Sequence, residues 1–403
     1  MAVLDVDVAA ALKEHYKPQR IKQMVYKNQP LLALMPKYTK FGGENMPIPV
    51  INGNPQKRSA TFAKAAVAEP GSRTSKVNQF LLTRKKDYSL AQISHEAIRA
   101  SKSDADAFIR YATMEIDGAI HSLKRSLGTA MYRDGSGSLG TTTTTGDGLS
   151  IQLADPADIV NFELGMAIVA ATGTESLHNT NVNLIETIDR NAGSFTVDGS
   201  LGTLASGDHL YVLGDRDLKV SGLEAWCPEA APTTELPEGG SFFGCFRGLD
   251  VTRLGGLRMD GSLQPIEEAL VDGMSLIARE GGTPSHIFCN YTTYANLEKA
   301  LGSKVQYITA ESSVADVGFT GIQVHGPAGT VKVIPDVNCP SNVAWVLQLD
   351  TWSLNSLGEC PQILDLDGNQ MLRLSDKDAY EVRTGYYAQI GCSAPGWNCR
   401  IAL

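Results

Sequence analysis

Four short groups of residues carry the side chains most able to do chemistry, and each fails on what that chemistry demands of its surroundings. Gly135-Ser136-Gly137-Ser138-Leu139-Gly140 spells the G-x-G-x-x-G of a dinucleotide site. That fingerprint works where the glycines join a strand to a helix, so that the helix N-terminus meets a pyrophosphate. Here a helical pattern precedes the glycines and Thr141 to Thr145 follows them, so residues 135–150 read as a flexible link. His95-Glu96 opens like the zinc motif H-E-x-x-H, but Arg99 holds the second ligand position, and two imidazoles cannot share one helical face. The other histidines are scattered. Asp365-Leu366-Asp367-Gly368-Asn369 sets two carboxylates beside a glycine, whereas a calcium loop needs a longer ligand series ending in Glu; a hairpin turn is the better reading. Arg84-Lys85-Lys86 could meet phosphate, but the flanking residues alternate as a strand and lack aromatic partners for bases, which favours a protein contact. With no P-loop and no G-x-S-x-G elbow either, the chain offers no catalytic residue, no cofactor and no metal site, and is expected not to be an enzyme.

The elements around these groups describe a structural protein. A chain of 403 residues with 43% apolar and 20% charged content can bury a large core and has no disordered or fibrous composition. No basic n-region leads into an apolar run at Met1 and no stretch of about 18 apolar residues occurs, so neither a signal peptide nor a membrane span is expected. Seven widely spaced cysteines without a CxxC pair read as reduced core thiols of a cytoplasm. The net charge of −9 is split: residues 1–86 hold fifteen Lys and Arg against five acids, +10, which leaves −19 for the remainder. A basic extension and an acidic body suit docking between copies.

Residues 5–17 read as helical, after which Pro18, Pro30 and Pro36 break the chain into an arm whose Leu31 to Met35 must pack on the body or on a neighbour. From Phe41 to Ile93 the pattern is extended and predicts a long two-stranded hairpin, with Thr61-Phe62-Ala63 in one strand and a tip near Glu69-Pro70-Gly71-Ser72. Eight bases and one acid fall within 54–86, and Lys57, Arg58, Lys64, Arg84, Lys85 and Lys86 are the candidate inter-subunit contacts. Ser103-Asp104-Ala105-Asp106 opens a helix over 104–132, with Ile109, Ala112, Ile116, Ala119, Ile120, Leu123, Leu127 and Met131 on one stripe. Short β patterns at 182–185, 194–197 and 209–213 predict a small barrel or sandwich. Beyond Pro228 the order is a helix at 264–280, a strand at 286–288, a helix between Asn290 and Gly302, strands at 331–334 and 343–349, a hairpin from Ile363 to Leu374 and a final strand from Tyr380 to Cys392. This is an α+β chain with a β-rich insert.

That order resembles the tailed-bacteriophage major capsid proteins with the Hong Kong 97-like fold. The resemblance is carried by Tyr26-Lys27-Asn28-Gln29-Pro30-Leu31-Leu32 leading to Gly42-Gly43, by Ser59-Ala60-Thr61-Phe62-Ala63-Lys64-Ala65, and by Gly281-Gly282-Thr283-Pro284-Ser285-His286-Ile287-Phe288-Cys289-Asn290. It implies an N-terminal arm over 1–41, an E-loop hairpin over 42–92, the spine helix of a P-domain over 93–134, an inserted β-rich domain over 141–250, an A-domain over 255–380 and a C-terminal strand over 381–403 returning to the P-domain. It further implies pentamers and hexamers of an icosahedral head built in the host cytoplasm, enclosing double-stranded DNA that the inner face contacts non-specifically. Separate scaffolding protein, a portal and a decoration protein are the implied partners, with no membrane, and Lys57, Lys64 and Lys76 are available for a lysine–asparagine cross-link. An encapsulin-type nanocompartment shell shares the fold and is told apart by an enzyme cargo in place of packaged DNA.

Overall fold

The apolar stripe over 104–132 produces a single helix, Ala105–Tyr132, about 42 Å long at 1.5 Å per residue. Ile116, Ala119, Ile120, Leu123, Leu127 and Met131 are buried along it, spaced three or four apart as one face requires. The computed structural model describes residues 29–56, 58–66, 74–95, 105–173, 177–233, 241–302, 307–311, 318–365 and 368–403, with backbone alone at 66, 105–112, 307–311 and 318–320. The helix expected at 5–17, the hairpin tip and the capping residues Ser103 and Asp104 lie outside the described residues.

The helix lies on the strands Lys85–Ser94 and Ala379–Cys392, which pair antiparallel along the whole of the former, from Ser94 opposite Ala379 to Lys85 opposite Ala388. The fourteen-residue C-terminal strand organises this sheet. Its other edge takes Trp352–Ser356, Gln362–Ile363 and Leu372–Arg373 in turn. The segment from Ile363 to Leu374 is therefore not a self-paired hairpin: both of its strands bond to the long strand, which offers a continuous row of backbone partners. The extended run of 42–92 is divided as well. Asn45–Gly53 pairs with Lys76–Thr83, but beyond Arg84 the chain leaves that ribbon and joins the C-terminal strand, because Ala91 and Ile93 can be buried only there. Phe62–Ala66 is a short helix in place of the expected strand residues, in keeping with the helix preference of Ala63-Lys64-Ala65-Ala66.

The arm packs on its own body. Pro30–Leu34 forms a helical turn whose Leu31, Leu32 and Ala33, with Met35, enter the main core beside the long helix. Gly128 permits this approach, since a Cβ there would lie 2.4 Å from the Gln29 side-chain nitrogen, which donates to the Lys124 carbonyl at 2.7 Å.

A seven-stranded mixed sheet follows, in the order Leu257–Asp260, Cys399–Ala402, Val343–Leu347, His286–Cys289, Gly329–Pro335, Gly318–Gly326, Tyr307–Glu311. Helices Ile266–Arg279 and Tyr291–Leu301 pack against it around a second core. Asn290 caps the latter by accepting from Thr292 N at 3.1 Å, and Gly302 ends it at positive φ.

Between the long helix and this sheet sits a six-stranded unit ordered Ser138–Thr141, His209–Val212, Ala167–Ala171, Asn183–Asp189, Ser194–Val197, Ser150–Gln152. A bridge between Thr142 and Leu153 brings the two edge strands together and curls the sheet into a small barrel around Ile151, Phe162, Ile168, Phe195 and Leu210. Residues 135–150 are thus not a flexible link. Ser138–Thr141 is a barrel strand, and Gly137 is closed in by the Asp215 carbonyl, which a Cβ would meet at 2.7 Å. The barrel core also stops earlier than an insert over 141–250 implies: Val220, Leu223, Trp226, Cys227 and Cys245 belong to the main core.

Candidate functional site

The hairpin Asn45–Gly53 and Lys76–Thr83 buries one face and presents the other. Ile48 opposite Phe80 and Met46 opposite Leu82 face the core, while Ile51 opposite Val77 faces out. Ile51 is 61% and Val77 54% exposed, and Phe62 in the short helix between them is 89% exposed. Scattered exposed aliphatics need no explanation, but an exposed cross-strand pair on a two-stranded ribbon is a candidate contact surface.

The expected basic contacts divide in two. Arg58, Lys64 and Lys86 are exposed; Lys57 lies outside the described residues. Arg84 and Lys85 are used inside the subunit. The Arg84 guanidinium donates to the Phe41 carbonyl at 2.6 Å and lies 4.9 Å over the Phe41 ring, and Lys85 donates to the Asp217 carbonyl at 2.7 Å. They anchor the point where the chain changes sheets.

Several contacts that sequence reasoning missed hold the hairpin and the barrel at fixed attitudes. At the hairpin base Trp226 meets Phe80 at 4.8 Å and Phe242 at 5.1 Å, edge to face, and the Arg247 guanidinium lies 4.2 Å over Phe242. At the barrel base Lys219 reaches Asp87 at 2.7 Å, Asp215 at 2.8 Å and Ser126 at 2.8 Å, joining barrel, strand and long helix. Arg133 pairs with Asp158 at 2.5 Å, and Arg125 with Glu163. Burial pushes Asp158 up to about 6 even though Arg133 opposes the shift, so the ion pair does not offset its desolvation. A third tie centres on the fully buried Asp336, which accepts from Tyr132 of the long helix at 2.8 Å and from Leu31 N of the arm at 3.4 Å. Such ties join residues far apart in sequence, and no local pattern signals them.

Among the described residues the titratable groups form no arrangement that a reaction centre needs. His178 Nε2 is 2.7 Å from Asp208 and 3.3 Å from Thr172 Oγ1, so one ring nitrogen faces both, whereas a relay needs the two nitrogens to face different partners. Ser138 Oγ lies 3.0 Å from His209 Nδ1 but is buried, and no carboxylate is bonded to that imidazole among the described residues. All seven cysteines are buried, and burial pushes the thiols of Cys227, Cys289, Cys360 and Cys399 up to about 12, out of reach of thiolate chemistry at neutral pH. A cavity of about 510 Å³ lies where the long helix meets the barrel, with Arg133, Lys219 and the latter's partners Asp87 and Asp215 on its wall. Among the described residues no group of three or more His, Cys, Asp or Glu could hold a metal, and no helix is long and apolar enough to cross a membrane.

The family model described as SU10 major capsid protein matches residues 221–368, from the main-core segment through most of the seven-stranded sheet. A cyanophage A-1(L) capsid subunit superposes with a TM-score of 0.53 at 10% identity, covering 94% of this chain and 92% of its own. The chain has the Hong Kong 97-like capsid fold. A Mycobacterium phage Ogopogo chain matches this chain at 10% identity and TM-score 0.40, covering 94% of this chain and 91% of its own. The SrpI encapsulin of Synechococcus elongatus matches at 9% and 0.43, covering 93% and 88%. No curated protein matches the chain.

Proposed function

We propose that this chain assembles as pentamers and hexamers into the icosahedral head of a tailed phage around double-stranded DNA, and that it catalyses no reaction. The observation that carries this reading is the hairpin, whose outer Ile51–Val77 pair and Phe62 stay exposed while its inner face is locked to the body. A surface of that kind gains a partner only when copies meet. In this reading 1–41 is the arm, 42–92 the E-loop, 93–134 the spine, 255–380 the A-domain and 381–403 the returning strand, while the inserted domain is the barrel, shorter than 141–250. Arg58, Lys64 and Lys86 contact the neighbouring copy. Each exposed pair contributes only about 0–1 kcal/mol, so the net effect depends on repetition around the shell. Scaffolding protein guides closure, a portal occupies one vertex, a decoration protein binds outside, and the inner face meets DNA without sequence preference. Assembly takes place in the host cytoplasm and the product is the virion.

The test is sedimentation and light scattering of the purified protein, alone and with the scaffolding protein supplied. Discrete pentamers, hexamers and closed particles are expected. A single monomeric species at every salt and protein concentration would overturn the reading.

A further inference from the structure

At one edge of the seven-stranded sheet two arginines are held side by side. Arg258 stands opposite Arg400 on the neighbouring strands Leu257–Asp260 and Cys399–Ala402, and Arg400 faces Trp345 on the next strand. Alternate residues share a face, so these three lie on the side turned to the main core, where Trp345 is buried, while Leu257, Cys399 and Ile401 pack on the helix side. Like charges placed this way repel each other. Burial lowers Arg258 below the usual arginine value, and the guanidiniums of Arg247 and Arg400 press in the same direction.

The acids nearby do not balance this pair. Among the described residues no carboxylate pairs with Arg258, whose Nε and Nη2 donate to the Pro228 and Gly255 carbonyls at 3.1 and 2.7 Å. Arg400 has Glu229, 3.2 Å from Nη2, on a side chain that is 75% exposed. Glu224, the other acid near Arg400, is shared with Arg133, and burial raises its carboxyl against both cations. Arg400 itself is only 8% exposed, yet its buried Nε finds no acceptor in the chain, and neither does the buried indole N–H of Trp345 beside it. The edge of a guanidinium formed by Nε and Nη2 takes two oxygens of one oxyanion. Glu229 fills half of that edge.

We propose that Arg258 and Arg400 form a site for a phosphate group, which enters by displacing the Glu229 carboxylate. Glu229 swings into solvent, two phosphate oxygens take Nε and Nη2 of Arg400, and a further oxygen meets Nη1 of Arg258. A tetrahedral phosphate can serve two guanidiniums at once, whereas a planar carboxylate satisfies one fork. Inorganic phosphate and the backbone phosphate of a nucleic acid share this chemistry. The site stands independently of the assembly reading.

Isothermal titration calorimetry of the full chain with sodium phosphate, at fixed ionic strength, tests it. The wild-type chain should bind at one site per subunit. Arg258→Gln should weaken binding by about tenfold or more. Glu229→Gln, which removes the competing carboxylate and keeps both arginines, should tighten it by about the same factor. The second variant keeps the test decisive if loss of the Arg258 contacts disturbs folding, because a misfolded chain does not bind more tightly. A short DNA duplex, followed by fluorescence anisotropy, separates the two sources. Duplex binding that phosphate displaces and Glu229→Gln strengthens identifies a backbone phosphate as the ligand; duplex binding indifferent to both assigns the site to the free anion. Absence of phosphate binding in both the wild-type chain and Glu229→Gln, or equal affinity in wild type and both variants, overturns the site.

Discussion

Replacing Asp336 by alanine should loosen the arm from the long helix. Asp336 Oδ2 accepts from Tyr132 OH at 2.8 Å and Leu31 N at 3.4 Å, and Oδ1 accepts from Asn338 N at 2.9 Å and Asn338 Nδ2 at 3.1 Å. Alanine strands the Tyr132 hydroxyl and the Asn338 amide, at about 1–3 kcal/mol for each buried donor left without an acceptor; the long Leu31 contact adds little. Removing the carboxylate also removes its desolvation, which sets the net loss at about 2–3 kcal/mol. Urea unfolding followed by tryptophan fluorescence measures it, with Trp345 and Trp352 buried as reporters. Burial raises Asp336 above its ordinary carboxylate value of 3.8, against the opposing hydrogen bonds. The folded state therefore holds this proton at a pH where the unfolded chain has lost it. Stability contributed here is greatest below the unfolded value and falls as pH rises toward the folded one. That slope should vanish in Asp336→Asn. An alanine variant within about 0.5 kcal/mol of wild type, or an unchanged pH slope in the asparagine variant, would refute the reasoning.

Excision of the barrel should separate two boundaries. Replacing 138–213 by a short linker should leave a folded, soluble body, because its ends are already adjacent through Asp217 N donating to Ser136 O at 2.7 Å; replacing 141–250 should give aggregate, since it removes Trp226 and its aromatic cluster from the main core. Solubility and circular dichroism of the two chains read the outcome. Lys219→Met should destabilise by about 3–5 kcal/mol in urea unfolding, as it leaves Asp87 and Asp215 without their cation; a loss under 1 kcal/mol would show that water screens this seam. Reversing Arg84, Lys85 and Lys86 together to Glu should lower subunit stability as well as assembly, whereas Lys86→Glu alone should spare unfolding midpoints. Equal midpoints for both would remove the structural role given to the Arg84–Phe41 contact. Raising ionic strength should weaken early oligomers more than closed particles, because exposed pairs are screened over roughly 8–10 Å at physiological salt. Equal loss of both would contradict a charge-guided early contact.

The elements set by local rules were legible in the sequence. The stripe from Ile116 to Met131, the Asn290 cap with its Gly302 stop, and the strand at 194–197 all follow from side-chain period and capping chemistry acting within a few residues. The partners of strands were not. The chain from Phe80 to Leu90 alternates without a break, yet it divides at Arg84 between two sheets, and only the distant C-terminal strand explains why. Glycine misled the reading of 135–150, where Gly135 and Gly137 take positive φ to fit against Ser221 and Asp215 and are not there for mobility. For the assembly surface, sequence supplied the basic stretch but could not say that Arg84 and Lys85 bond within the subunit or that Phe62, Ile51 and Val77 are each exposed. Those facts depend on which face the body covers.

The most direct measurement of the central claim is a negative-stain image of the expressed protein, with its scaffolding protein present. Closed, angular particles of uniform size, built from five- and six-fold capsomers, are expected. Fields of dispersed single subunits, or open aggregates with no closed shell under any condition, would contradict it.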